Sequence, residues 1–194
     1  MSDVERAARA VRDGELVVYP TETVYGLGAD ALDEEAIERA FAAKRRDRSD
    51  PISLAVPTVD RAFDYVEATD REKAFMREFL PGPVTVVVGK RELVPDALTG
   101  GRPRVGVRIP DHDLARSLLE RTAPITATSA NVSGSPGVTA IDDLDPAIRD
   151  AAAVILDGGT TPGTASTVVD VEAEVVHRAG RDADRVRAWL DEND

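Results

Sequence analysis

At 194 residues, 42% hydrophobic and 31% charged, the chain has a globular composition and is long enough to bury a core in one large domain or two small ones. With no cysteine it has neither a disulfide framework nor a thiolate metal site, and two histidines, His112 and His177, are too few for zinc alone. A formal charge of −12 argues against a broad nucleic-acid surface, because such surfaces neutralise phosphate.

No apolar run approaches membrane-spanning length, and the charged N-terminus MSDVERAARAVRDGE lacks a signal-peptide core, so a cytoplasmic protein without membrane attachment is expected. Asp outnumbers Glu by 22 to 14, and Arg outnumbers Lys by 21 to three. Acidic, lysine-poor surfaces suit molar salt, where the Debye length is about 3 Å. A halophilic archaeal source is therefore expected, with an ordinary acidic protein as the alternative.

Apolar spacing predicts a helix over Val4 to Val11, stopped by Gly14. Leu16 to Tyr19 reads as a buried strand ended by Pro20, and the hydroxyl- and glycine-rich PTETVYGLGADA as a loop. Asp33 can cap a helix whose Ile37, Ala40 and Phe41 share a face, with Lys44 and Arg46 at its C-terminal end. Ile52 to Val56 reads as a strand. Two short helices follow, Val59 to Val66 and Glu72 to Leu80, the second broken by Pro81-Gly82-Pro83. Val84 to Val88 and Val105 to Ile109 are strands, and Asp111 or Asp113 begins a helix through Leu119. Pro124 to Ala127 is a strand feeding the polar turn TSANVSG. A helix over Pro146 to Ala152 precedes strands at Val154 to Leu156, Thr167 to Val171 and Val175 to His177, and a helix over Arg181 to Leu190 follows. Strands and helices mix without strict alternation, which implies an α/β or α+β sheet protein.

Four stretches can carry chemistry. The loop Pro20 to Gly28 presents Thr21, Glu22, Thr23 and Tyr25 after a strand end, where ligands often bind; by itself it reads as an ordinary loop whose hydroxyls satisfy its own backbone. The stretch AKRRDRSDP puts four cations, Lys44, Arg45, Arg46 and Arg48, into five positions of an acidic chain. It reads as a solvated helix end with Asp47 and Asp50 paired to the arginines, as an RNA patch, or as a phosphate site into which Lys44 and Arg46 both reach. TATSANVSG and DGGTTPGTASTVVD are hydroxyl-rich turns beside strands, able to bond phosphate or ribose, or only their own backbone. Neither a Walker loop, a GxGxxG fingerprint nor a GxSxG elbow occurs. In PDHD, His112 is read as capping the following helix.

Together, YPTETVYGLGADA, AKRR, PGPVTVVV, VGVRIPDH, TSANVSG, and GTASTVVD followed by HRAG resemble, in order, the YrdC-type family of threonylcarbamoyl-AMP synthases, from about Val11 to Gly180. The chain resembles the short form, a single YrdC-like domain over 1–194. The resemblance implies a twisted mixed α/β sheet with flanking helices and a large concave cavity. It implies joining of L-threonine, bicarbonate and ATP into threonylcarbamoyl-AMP with release of pyrophosphate, for threonylcarbamoyladenosine modification of tRNA by a transiently bound transferase complex. ATP would be a substrate accompanied by Mg²⁺, with no dedicated metal site.

By the same resemblance Lys44 and Arg46 fall on a KxR pair that acts in catalysis and on ATP. Ser129, Asn131 and Arg178 fall on further ATP contacts, and Thr23, Arg108 and Ser166 on threonine contacts. Three positions depart from the family pattern: Ala55 stands where many relatives have histidine, Arg104 where many have threonine, and Asp47 where proline is usual. Arg104 would add a cation to the nucleotide site. Two other activities fit parts of the resemblance, a carbamoyl-adenylate enzyme and a non-catalytic double-stranded-RNA or tRNA-binding module.

Overall fold

The structure, a computed structural model, describes residues 1–122 and 124–193. Strand β1, Leu16–Tyr19, is buried at all four positions because it serves two cores at once. Val17 and Tyr19 pack with Ala7 and Val11 of helix α1 (Asp3–Arg12) and Leu118 of α6 (Asp113–Leu119). Leu16 and Val18 face Ala36 and Ala40 of α2 (Glu34–Lys44) and Ile148 of α7 (Pro146–Ala151). A strand covered on both faces reads as a continuous apolar run, and LVVY is one.

The remaining strands are β2 (Gly26–Gly28), β3 (Ser53–Ala55), β4 (Val66–Glu67), β5 (Val84–Lys90), β6 (Arg104–Arg108), β7 (Ile125–Ser129), β8 (Ala152–Ile155), β9 (Thr167–Asp170) and β10 (Val175–Arg178). They form one mixed sheet in the order β10-β9-β5-β6-β3-β7-β2-β1-β8, with β4 attached to β5. β3–β6, β5–β9 and β1–β8 are parallel pairs; the others run antiparallel. The mixed α/β architecture agrees with the composition of the predicted elements.

The β5-β6-β9 half differs from the β1 half, since helices cover only one of its faces. Val84, Val86, Val88, Val105, Val107 and Val169 pack against Phe75, Met76 and Phe79 of α4 (Asp70–Phe79) and Val186 and Leu190 of α8 (Ala183–Glu192). Strand alternation then turns Thr85, Val87, Arg104, Gly106, Arg108, Val168 and Asp170 to the other face, where they floor a cleft. Gly106 keeps that floor shallow: a Cβ there would lie 2.2 Å from Ser53 Oγ. Residues 156–166 run as irregular chain from β8, at one end of the sheet order, to β9, near the other.

Element ends differ from the predicted ones where tertiary pairing intervenes. The helix predicted over Val59 to Val66 is α3, Val59–Ala62, because Val66 and Glu67 pair with Lys90 and Gly89 as β4. The loop PTETVYGLGADA contains β2, and the helix predicted from Arg181 begins at Ala183, after Asp182 in a left-handed conformation (φ 65°). A four-residue helix, α5 (Asp96–Thr99), and a 3-10 turn at Ile141–Asp143 were not predicted. Asp33 caps α2 as expected, accepting from Glu35 N at 2.9 Å. His112 stands at the N-cap of α6 but makes no side-chain cap bond, and its buried Nδ1 has no partner.

Candidate active site

The cleft on the uncovered sheet face has a volume of about 780 Å³. Its walls come from the loop after β1, the end of β7 and its turn, the chain after α2, and the segment entering β9. That segment is tied across the site. Gly163 N donates to Thr23 O at 2.7 Å, Thr161 N to Thr139 O at 2.8 Å, and Tyr25 Oη to Gly159 O at 2.7 Å.

The cleft brings seven of the eight predicted site residues together: Thr23, Arg46, Arg108, Ser129, Asn131, Ser166 and Arg178 all line it. Two of the pairings are direct. Thr23 Oγ1 accepts from Arg108 Nη2 at 3.0 Å. Ser166 Oγ accepts from Arg178 Nη2 at 2.8 Å, and Ser166 O accepts from Arg178 Nε at 2.9 Å. Arg178 is held below the ordinary guanidinium range, first by burial and then by the charges of Arg108 and Arg46. Three cations therefore share one field in this cleft.

Lys44 is the eighth, and its place differs. It is 1% exposed and does not line the cleft. Its Nζ donates to Asn131 O at 2.7 Å and, at shorter range, to Ser129 O. Ser133 N returns a bond to Lys44 O at 2.8 Å, so the end of α2 and the TSANVSG turn are bolted together. Helix α2 stops there because Arg45 adopts a left-handed conformation, φ 49°. Burial, and then the charge of Arg46, lowers the Lys44 ammonium from 10.5 to about 8. An ammonium has three donors, so one remains beyond the two carbonyls.

The pairing of Asp47 and Asp50 with the arginines of AKRRDRSDP is not found among the described residues: Arg48 pairs with Glu38 instead, and Arg46 with no carboxylate. Arg46 Nε donates to Asp50 O and Nη2 to Pro51 O, both at 3.1 Å, and both acceptors are backbone carbonyls. Asp47 is occupied by Ser49 N at 2.8 Å and Ser49 Oγ at 2.7 Å. Among the described residues no carboxylate lies within salt-bridge distance of Lys44, Arg46 or Arg178. In a chain of charge −12, two cleft-lining arginines without a carboxylate among the described residues, Arg46 and Arg178, mark a place for an anion.

Arg104 behaves otherwise. Its Nη2 donates to Glu72 Oε1 at 2.8 Å, Asp170 Oδ1 at 3.0 Å and Val87 O at 2.7 Å. Two carboxylates match its charge, so it adds no free cation to the cleft. Ala55 is a core residue beside Val17 and Tyr19 and lies off the cleft lining. Among the described residues, four buried polar atoms of this region have no partner: Asn131 Oδ1, Glu22 Oε2, Arg104 Nε and Arg108 Nε. The sequence reading gave Glu22 no role. Its signal was slight, a single carboxylate in a hydroxyl-rich loop.

The family model described as Sua5, YciO and YrdC, telomere recombination, matches residues 9–180. The chain belongs to this family. The threonylcarbamoyl-AMP synthase of Pyrococcus abyssi is 41% identical over 85% of the chain and 49% of its own length. That of Bacillus subtilis is 35% identical over 89% of the chain and 51% of its length. The crystal structure of P. abyssi Sua5 complexed with L-threonine superposes with a TM-score of 0.86, at 36% identity, covering 96% of this chain and 58% of that one. The chain thus spans about half the length of these relatives.

Proposed function

We propose that this chain is an L-threonylcarbamoyladenylate synthase, a nucleotidyltransferase that converts L-threonine, bicarbonate and ATP into threonylcarbamoyl-AMP, pyrophosphate and water. The observation that carries this reading is the division of the cleft. Among the described residues Arg46 and Arg178 have no carboxylate partner, whereas Arg108 is held beside Thr23 and Glu22. The first pair suits a polyphosphate, the second group an amino acid.

Threonine's amine must first be carboxylated, the bicarbonate losing water. A carbamate oxygen then attacks the α-phosphate, and its new bond to phosphorus forms as the bond to pyrophosphate breaks. Negative charge moves onto the leaving pyrophosphate. Arg46 and Arg178, already fixed by bonds to Asp50 O, Pro51 O and Ser166, stabilise that charge without having to reorganise. Lys44 fixes the turn that carries Ser129 and Asn131, and its charge lies beside Arg46 in the field that meets the triphosphate. Asn131 Oδ1, buried and unpartnered, accepts from a ribose hydroxyl or another nucleotide donor. Arg108, Thr23 and Ser166 hold threonine, with the guanidinium on the carboxylate.

Asp170 is the one carboxylate among the described lining residues, and its Oδ1 is taken by Arg104 and Ala173 N. This donor set does not fit a protein-held Mg²⁺, and magnesium enters as the companion of the ATP phosphates. We place the chain's work in one domain in the cytoplasm of a halophilic archaeon, with the adenylate passed to a tRNA-modifying transferase complex. Its acidic surface supports at most weak binding of tRNA or double-stranded RNA.

The test is pyrophosphate release from ATP in molar KCl with magnesium, omitting threonine and bicarbonate in turn. Release that needs both supports the reading. Release driven by carbamoyl phosphate assigns the carbamoyl-adenylate chemistry, and tight RNA binding at molar salt without release assigns an RNA-binding module; either overturns it.

A further inference from the structure

Glu22 is a buried acid that the adenylation scheme does not use. Its side chain is 13% exposed and that of Arg108 is 11% exposed; Glu22 Oε1 accepts from Arg108 Nη2 at 2.7 Å. The same Nη2 reaches Thr23 Oγ1 at 3.0 Å, so both of its hydrogens are engaged. Arg108 Nε is buried without a partner, which leaves Nη1 as the accessible donor. Glu22 and Thr23 thus fix the guanidinium plane and choose the atom that it offers.

The pair does not look like a device for stability. Glu22 Oε2 is buried with no hydrogen-bond partner among the described residues, and a half-satisfied buried carboxylate is a cost that an apolar side chain would avoid. What the carboxylate alters is the charge at this end of the cleft. Arg46 and Arg178 bond only Asp50 O, Pro51 O and Ser166, and no carboxylate among the described residues matches their charge. Arg108 is matched by Glu22 before any ligand arrives.

We infer that Glu22 is a specificity-determining positioning residue. It neutralises Arg108 and orients Nη1, so that this end of the cleft takes the carboxylate of a zwitterionic amino acid and refuses phosphate, which is left to Arg46 and Arg178. The inference rests on the reading of Arg108 as the amino-acid contact. An unmatched arginine here would make a third phosphate site within the same field. The triphosphate, or the departing pyrophosphate, would then compete with threonine for it.

The experiment compares the parent with Glu22→Gln and Glu22→Asp in pyrophosphate release, titrating threonine at several concentrations of inorganic phosphate. In Glu22→Gln the amide oxygen still accepts from Arg108 Nη2, so the KM for threonine without phosphate changes little, and it rises about tenfold as phosphate is added. Phosphate becomes an inhibitor competitive with threonine, a change that loosened structure alone would not produce. Glu22→Asp keeps the charge and stays closer to the parent in phosphate inhibition, although its shorter reach raises the KM. An unchanged KM and unchanged phosphate inhibition in Glu22→Gln would overturn the assignment, and so would new phosphate inhibition competitive only with ATP. If the parent releases no pyrophosphate, the functional reading fails by itself. Phosphate titration of the melting temperature then still decides the role of Glu22, with tighter binding in Glu22→Gln supporting it and equal binding refuting it.

Discussion

Replacing Lys44 by methionine keeps the length of the side chain and removes the ammonium that holds Ser129 O and Asn131 O. Two buried carbonyls then lose their donor, at about 1–3 kcal/mol each. Against this stands relief from burying a charge. A fall in pKa from 10.5 to about 8 puts that relief at about 3 kcal/mol. The two terms largely cancel, and the net change lies between a gain of about 1 kcal/mol and a loss of about 3 kcal/mol. The effect on the site is larger, because the freed carbonyls belong to the turn that carries Ser129 and Asn131 into the cleft. Lys44→Met should weaken ATP about tenfold or more while the urea midpoint moves only slightly. Calorimetric titration of ATP, beside urea unfolding of the same samples, reads both quantities. ATP affinity within twofold of the parent would refute the reasoning that the buried lysine organises the nucleotide end.

Arg46 bonds only backbone carbonyls near the surface, so Arg46→Ala should change stability by no more than about 0.5 kcal/mol while nucleotide binding falls at least about tenfold; the same titration checks it. Glu72 is buried at 1% side-chain exposure against Arg104, and Glu72→Gln should destabilise the fold by about 3 kcal/mol in urea unfolding, with little effect on ATP affinity. Lys44 titrates near pH 8 when folded and near 10.5 when unfolded, so ATP affinity should decline as pH rises past about 8 in the parent, and Lys44→Met should lack that step. Between those values the unfolded chain holds a proton that the folded chain has shed. The contribution of this residue to stability therefore rises with pH, which pH-dependent urea unfolding measures.

Where local pattern and tertiary environment agree, the sequence is enough. LVVY is a strand over its predicted span because it is apolar on both faces, and α2 starts where Asp33 can cap it. β2 was hidden because glycine is a poor strand former, and only the packing explains it. A Cβ at Gly26 would lie 2.7 Å from Tyr19 Cζ, so the ring of the neighbouring strand requires glycine there. The cleft floor was half legible: in RVGVR the valines alternate with Arg104, Gly106 and Arg108, which is the signature of one polar strand face. The partners of its charges were not legible. Lys44 reaches acceptors 85 and 87 positions away, and Glu22 meets Arg108 across 86. No local rule distinguishes Arg46, which has no carboxylate partner among the described residues, from Arg104, which has two.

Mass detection of the adenylate itself tests the central claim most directly. The purified chain is incubated in molar KCl with magnesium, ATP, L-threonine and ¹³C-bicarbonate, and the nucleotide fraction is analysed. The account predicts threonylcarbamoyl-AMP carrying one bicarbonate-derived carbon, formed by the parent and lost in Arg46→Ala. Absence of that labelled adenylate from the active-site-intact chain, or its replacement by carbamoyl-AMP made from carbamoyl phosphate, would contradict it.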